Sequence, residues 1–397
     1  MTKIEFEELR LRHDPGGEAA INTVLSMPDD AGHGPRLHFL HEIDAVDGDA
    51  VRPLPTDLPP IVREFFEHVD LPKWLTQWGD VDAAHEMAID LFDEEVVLFV
   101  LALLCKALPE CYAGAKGAAV LAYTGKLGDA NYEDPRVQDT LVRRVVETAV
   151  FVRNVNTIEN WKGATPRAIR TIRKVRLFHS GVRRMILSRP NPHTGQPWDI
   201  NHMGYPINQQ DTVGTLLAFC LLSMQGAEKM GASISTEQRK AMLLHWAVVG
   251  YHLGIEDEVL KTFLTDPEGL WQQIKDTQFA PSPQGAALTG ALASFMSTHL
   301  FVVQHRAHVP VLLMRFLLDP KAAKAVDINA LGPAHTTWFY TLIGLILRIG
   351  HLLMFMLPVI GPWLIRRLGK DVMELTIEGW AGTRKPQITI SDELEAA

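Results

Sequence analysis

The chain has 397 residues, 47% of them hydrophobic and 21% charged, with a formal net charge of −9. That balance suits a globular protein of one large or two ordinary domains with room for an internal pocket. An acidic chain without a basic, aromatic-interleaved stripe excludes a nucleic-acid binder.

Residues 1–60 are rich in proline, glycine, histidine and acid, so an irregular N-terminal arm is expected. No signal peptide or twin-arginine leader opens it, which predicts a cytoplasmic location, with peripheral membrane attachment left open. His33, His38 and His41 in this arm read as exposed histidines, because nothing nearby completes a metal site. Cys105, Cys111 and Cys220 match no zinc spacing and read as buried thiols of a reducing compartment.

From Leu58 the pattern turns helical. Short helices are expected over 59–69 and 72–78, then a long one over 81–108 that Pro109 stops, then one over 111–124. The spacing next predicts a helix from Pro135 to about Asn156 with Val137, Leu141, Arg144, Thr148, Phe151 and Val155 on one face. Arg144 and Thr148 are thus polar groups on a buried stripe. A buried arginine needs an anion nearby. Arg143 and Glu147, four residues apart on the neighbouring face, read equally well as a surface ion pair or as a place for Glu147 to act as acid or base.

Thr165 to Ser188 is the best-bounded helix, with Thr165 as N-cap, Pro166 at the first helical position and Arg189-Pro190 as its end. Ile172, Val175, His179, Val182 and Ile186 form its buried stripe, flanked by Arg170, Arg173, Lys174, Arg176, Arg183 and Arg184. An imidazole on an apolar face between cations suits an axial haem ligand whose propionates meet the arginines; a satisfied core histidine is the alternative.

A proline- and glycine-rich loop follows, ending in Gly204-Tyr205-Pro206-Ile207-Asn208-Gln209-Gln210-Asp211. Such amide-rich turns orient hydrogen bonds into a pocket or brace a chain crossing. Asp211 or Thr212 is expected to cap a helix reaching Met230, and Ser235 with Gln238 a capping box opening the next. His245 and His252 on that helix, two turns apart, suit core or pocket lining rather than one metal. A helix over 289–318 carries His305 and His308, which lack a local carboxylate to complete a metal set. From Thr336 to Ile365 the chain is most apolar, interrupted by Arg348, His351, Pro358 and Pro362 and followed by Arg366, Arg367 and Lys370. An amphipathic hairpin on a membrane and a helix pair packed on the core are both open for it. No strand, repeat, P-loop or dinucleotide fingerprint is found. The expected plan is an arm over 1–60, an all-α domain over 61–330, apolar helices over 331–381 and a disordered tail over 382–397.

Several segments in order resemble the bacterial latex-clearing proteins (rubber oxygenases) and the mpaB-type ER-bound oxygenases. They are LPECYAGAKG (108–117) with YTGKL (123–127), RRVVET (143–148), VRLFHSGVR (175–183), GYPINQQDTVGT (204–215) and the stretch 250–255. The resemblance implies a single all-α bundle, globin-like in character, enclosing haem b with its iron on His179 and with Arg176, Arg183 and Thr215 at the cofactor. It implies dioxygen-dependent cleavage of the C=C bond of a small apolar, isoprenoid or lipid-like substrate, with Arg144, Glu147 and Thr148 as the catalytic set. Rubber oxygenases can carry a lysine just before that threonine; Glu147 stands there in this chain, so closure of the iron site by a lysine is not expected. A carboxylate there could instead act as base toward an allylic proton. The competing readings are a haem-binding protein without turnover and a non-haem metal enzyme on a helical bundle, for which only Asp82-x-x-His85 is available.

Overall fold

The structure, a computed structural model, describes residues 3–27, 35–47, 54, 56, 58–123, 135–191, 194–300, 308–332, 342, 344–349 and 388. Among them every regular element is helical, and the one extended contact is an isolated bridge between Gly114 and Phe279.

The N-terminal segment is not irregular where it is described. It forms α1 (Lys3–Glu8), α2 (Pro15–Leu25) and α3 (Pro35–Asp44), because Ala20, Ile21, Val24, Phe39, Leu40 and Ile43 recur at helical spacing and bury together. The composition suggested a loop; the apolar spacing within it, with Pro15 and Pro35 at helix starts, overrides that. Then follow α4 (Pro60–Glu67), α5 (Lys73–Trp78) and α6 (Val81–Glu94).

The expected long helix over 81–108 is broken at Glu95. It continues as α7 (Val96–Ala102), a π-turn at Leu103–Ala107 and α8 (Leu108–Tyr112). Pro109 does not stop the chain. The wide turn lets the Leu108 N–H reach back five residues to Leu103 O, and Pro109, which has no N–H to give, sits in the first turn of the next helix.

After α9 (Ala115–Tyr123) come α10 (Pro135–Val155) and α11 (Arg167–Ser188). Pro166, not Thr165, occupies the cap position of α11. The short α12 (Ile200–Met203) leads to α13 (Gln209–Leu217), capped by Asn208, whose side chain accepts from Asp211 N; Asp211 and Thr212 lie inside the helix. A second π-turn, Ala218–Leu222, connects it to α14 (Ser223–Met230) and packs against the first. The Ser235–Gln238 capping box opens α15 (Thr236–His252) as expected. The remainder is α16 (Asp257–Thr265), α17 (Pro267–Gln278), α18 (Pro283–His299), α19 (Val309–Leu317) and α20 (Pro320–Ala325).

α15 packs along α6, α14 along α7, and α10 beside α11, around one main core running from Phe6 to Ile328 and joined by Ile388. A second cluster lies where α2, α3 and α4 meet Leu177 of α11. His33, His305, most of the expected apolar helices over 331–381 and the tail over 382–397 apart from Ile388 lie outside the described residues.

α11 explains this arrangement. Arg170, Arg173, Lys174 and Arg183 are all buried, and a buried cation is tolerated only with partners. Lys174 Nζ donates to Asp47 Oδ1 at 2.8 Å and to Asp44 O at 2.6 Å. Arg167 Nε donates to Asp47 O at 2.8 Å. Arg176 makes a bidentate pair with Asp14, at 2.6 and 2.5 Å. The N-terminal helices are therefore fastened to α11 by charge as well as by apolar burial.

Asp47→Ala strands the Lys174 ammonium and is expected to lower unfolding stability by about 3–5 kcal/mol in a denaturant titration. Arg63→Ala, which removes an exposed pair to Glu67, is expected to cost no more than about 0.5 kcal/mol.

Candidate active site

The sequence places a histidine on the buried stripe of α11, and the structure opens a cavity beside it. The cavity holds about 450 Å³, within the roughly 300–1,000 Å³ usual for small-molecule and cofactor sites. Its walls come from α7–α11, both π-turns, α13, α15 and α17. Most lining side chains are aliphatic or aromatic, with Phe151, Phe178, Phe219, Trp246 and Trp271 among them.

His179 lines this cavity. The rest of its stripe behaves as the spacing predicts: Ile172, Val182 and Ile186 are buried. Val175 and His179 keep partial exposure because they face the cavity rather than packed side chains. Among the described residues the His179 ring has no hydrogen-bond partner. Burial, with the like charges of Arg183 and Arg144 and against the pull of Asp14, pushes its pKa down to about 4. The ring is therefore neutral at neutral pH and holds a ring nitrogen with an uncommitted lone pair, which a metal ligand requires.

α10 brings Arg144, Glu147 and Thr148 to the same cavity. The Arg144 guanidinium lies 5.1 Å from the Phe178 ring centroid, a cation–π contact that ties α10 to α11. Thr148 donates to Arg144 O at 2.8 Å, and Glu147 Oε1 accepts from Arg143 Nε at 3.0 Å. Glu147 is thus in the expected ion pair with Arg143 and also stands at the cavity wall. Thr215 also lines the cavity and donates to Asp211 O at 2.9 Å.

Arg176 and Arg183 are not brought to the cavity. Arg176 is spent on Asp14, between Gly16 and Gly254, where a Cβ would meet it at 2.9 and 2.7 Å. Arg183 donates to Pro206 O at 3.0 Å and to Ile207 O at 2.7 Å. The expectation that both meet carboxylates of a bound group gives way to a bracing role. Arg183 holds the Ile207 turn, whose φ of 51° is unusual for a β-branched residue. Among the described residues Arg144 is the one arginine or lysine in the lining.

The 204–211 stretch proves to be a chain brace as well. Arg10 donates to Asp211 Oδ1 at 2.9 Å and to Gln210 Oε1 at 3.1 Å. Gln209 donates to Gly254 O at 2.9 Å and accepts from Glu256 N at 3.0 Å. Gly254, at φ 88°, makes the turn this requires.

Sequence reasoning missed Phe178, Glu110 and Gln278 in the wall. Phe178 is the neighbour of His179, but on a helix adjacent residues point about 100° apart, so its place was not legible from periodicity. The histidines of α15 are core residues, one of the two places the sequence left open for them. His245 meets His85 of α6, Nδ1 to Nδ1 at 2.8 Å, with Trp161 stacked on His85 at 4.0 Å. His252 meets Arg173 at 3.1 Å. Neither lines the cavity. Among the described residues no three His, Cys, Asp or Glu side chains gather as a metal would need.

Burial pushes the His85 pKa down to about 4, and those of His245 and His252 well below the usual value of 6.5. The unfolded chain then binds protons that the fold excludes. The stability these groups contribute is full above pH 6.5 and is lost as pH falls from 6.5 toward 4. Between pH 7.5 and 5, His85 alone is expected to remove about 2 kcal/mol. A urea midpoint that does not move over this range overturns the assignment.

The family described as "ER-bound oxygenase mpaB/B'/Rubber oxygenase, catalytic domain" matches residues 92–348. A rubber oxygenase of Streptomyces sp. (strain K30) is 25% identical over 278 residues, which cover 69% of this chain and 62% of that protein's length. A solved structure of latex clearing protein LCP in the closed state superposes with a TM-score of 0.60 at 17% identity, covering 94% of this chain and 90% of that one. At that identity the last likeness speaks for the fold alone.

Proposed function

The chain belongs to the mpaB/rubber oxygenase catalytic-domain family, and from that premise we propose that it is a haem b-dependent oxygenase. Its reaction is dioxygen-dependent cleavage of a C=C bond in an apolar, isoprenoid or lipid-like alkene. The observation that carries the reading is the neutral His179 imidazole, without a hydrogen-bond partner among the described residues, facing an apolar cavity.

The residues present fit such a group. A ring nitrogen is open to the cavity, the volume is in the range for a cofactor, and Arg144 offers one guanidinium to a carboxylate at the wall. With Arg176 and Arg183 committed elsewhere, a second carboxylate of the group has no cation among the described lining residues.

When bound, haem supplies the binding and activation of dioxygen. The chain's own residues do the rest. His179 holds the group from α11. Arg144 supplies N–H donors that polarise and orient in a water-poor pocket, and the Thr148 hydroxyl adds one when it turns from the Arg144 carbonyl. The aliphatic and aromatic walls seat the alkene and exclude water. Glu147 accepts an allylic proton at its carboxylate and returns it later. Both oxygen atoms of dioxygen end in two new carbonyl groups, so the cleavage needs no external reductant.

His179→Ala is expected to keep its helical circular dichroism and to lose the Soret band that haem gives with the unaltered protein. Full haem content with an unchanged spectrum in that variant rules the proposal out. Thr148→Val is expected to retain haem and to lower oxygen uptake with a terpene alkene by about 10²–10³-fold, and Arg144→Leu to hold haem less tightly as well as to lower that uptake. Glu147→Gln tests the proton step through the same uptake and through carbonyl products trapped with a hydrazine. Haem binding without oxygen uptake across isoprenoids, terpenes and unsaturated lipids favours the non-catalytic reading.

A further inference from the structure

Residues 342 and 344–349 are helical and sit against α19. Gly344 is buried on the Phe316 ring, where a Cβ would lie 2.9 Å from ring atoms, and Leu347 packs on the main core. The opposite face is the unusual one. Leu342, Leu345, Ile346 and Ile349 follow at i, i+3, i+4 and i+7 and are 40, 52, 59 and 47% exposed. They are four of the eleven large apolar side chains that stand exposed among the described residues. The other seven are scattered, which is ordinary for a protein surface; a contiguous aliphatic stripe turned outward is not.

Charge indicates what covers it. Between Asp327 and Asp371 the chain has no carboxylate side chain, yet carries Arg348, Arg366, Arg367 and Lys370. Trp338, Phe339 and Tyr340 precede the stripe, residue types that favour a bilayer–water boundary. The protein as a whole is acidic, at −9. An anionic bilayer thus repels the acidic chain as a whole and attracts Arg348 on the helix that carries the stripe, which orients the apolar face toward the lipid. No described helix is long and apolar enough to cross a membrane, and what the described stripe offers is a face to the membrane surface.

We propose that this face is a peripheral docking surface for anionic phospholipid bilayers. The stripe enters the boundary between headgroups and acyl chains, and Arg348 on the same helix pairs with lipid phosphates. The inference stands apart from the haem chemistry, although an enzyme seated this way meets an apolar substrate where it is dissolved.

The test is flotation of the full chain with vesicles of phosphatidylcholine alone or of phosphatidylcholine and phosphatidylglycerol in equal parts. The unaltered chain is expected to float with the anionic vesicles, and less so as salt is raised. A Leu345→Glu, Ile346→Glu double variant is expected to bind them at least about tenfold more weakly. Both side chains point outward, so circular dichroism and thermal midpoint are expected to stay unchanged. Arg348→Glu is expected to lose the preference for anionic vesicles. A chain that stays in the dense fraction with both vesicle types, or a double variant that floats as well as the unaltered chain, overturns the proposal. A variant-sensitive dimer in sedimentation without flotation assigns the face to a second copy and overturns it equally.

Discussion

Burying a cation without an acceptor is among the most costly things a fold can do, and α11 buries four. Each has to be met from outside the helix. Lys174 takes the Asp47 carboxylate and Asp44 carbonyl, Arg173 the His68 carbonyl and a ring nitrogen of His252, Arg183 the Pro206 and Ile207 carbonyls, and Arg170 the Val46 carbonyl. These partners lie on the N-terminal helices, on the loop after α12, and on α15 and the segment after α4. Much of the chain is thereby tied to one helix. The face of α11 left over, Val175, Phe178, His179 and Val182, is the one that borders the cavity.

The same constraint shapes the electrostatics of the site. With most of the basic side chains of α11 satisfied away from the cavity, the imidazole sits in a low-dielectric space close enough to Arg183 and Arg144 for their charge to help keep it neutral. A neutral imidazole is a ligand; a protonated one is not. The cavity owes part of its width to the two π-turns packed on each other, Leu103–Ala107 and Ala218–Leu222, since Leu103, Leu104, Ala107, Ala218 and Phe219 line it. Wide turns of this kind interrupt regular helix packing and recur at functional cavities.

The segments that carried the family resemblance line the cavity, brace the chain, or do both. RRVVET and VRLFHSGVR bring Arg144, Glu147, Thr148 and His179 to the cavity. GYPINQQDTVGT does both: Ile207, Thr212, Gly214 and Thr215 line the cavity, while Gln209 holds Gly254 and Glu256, and Gln210 and Asp211 hold Arg10. A motif can thus mark a family through its architecture as firmly as through its chemistry.

Local physics along the chain was sufficient for the all-α class, for the Ser235–Gln238 cap, for the ends of α10 and α11 to within two residues, and for putting Arg144, Thr148 and His179 on inward faces. Each follows from helical period and cap chemistry, which act over a few residues. Where a long-range partner decides, the linear pattern was silent or misleading. Arg176 and Arg183 looked like ligands for an anion until Asp14 and the Pro206–Ile207 carbonyls, distant in sequence, claimed them. His245 meets His85, a partner the linear pattern gave no sign of, because α15 packs along α6. α2 and α3 read as loop because their apolar residues are sparse and are buried in a separate cluster with α4 and α11. Spacing along a helix tells which way a side chain points; only the packed fold settles what stands there to meet it.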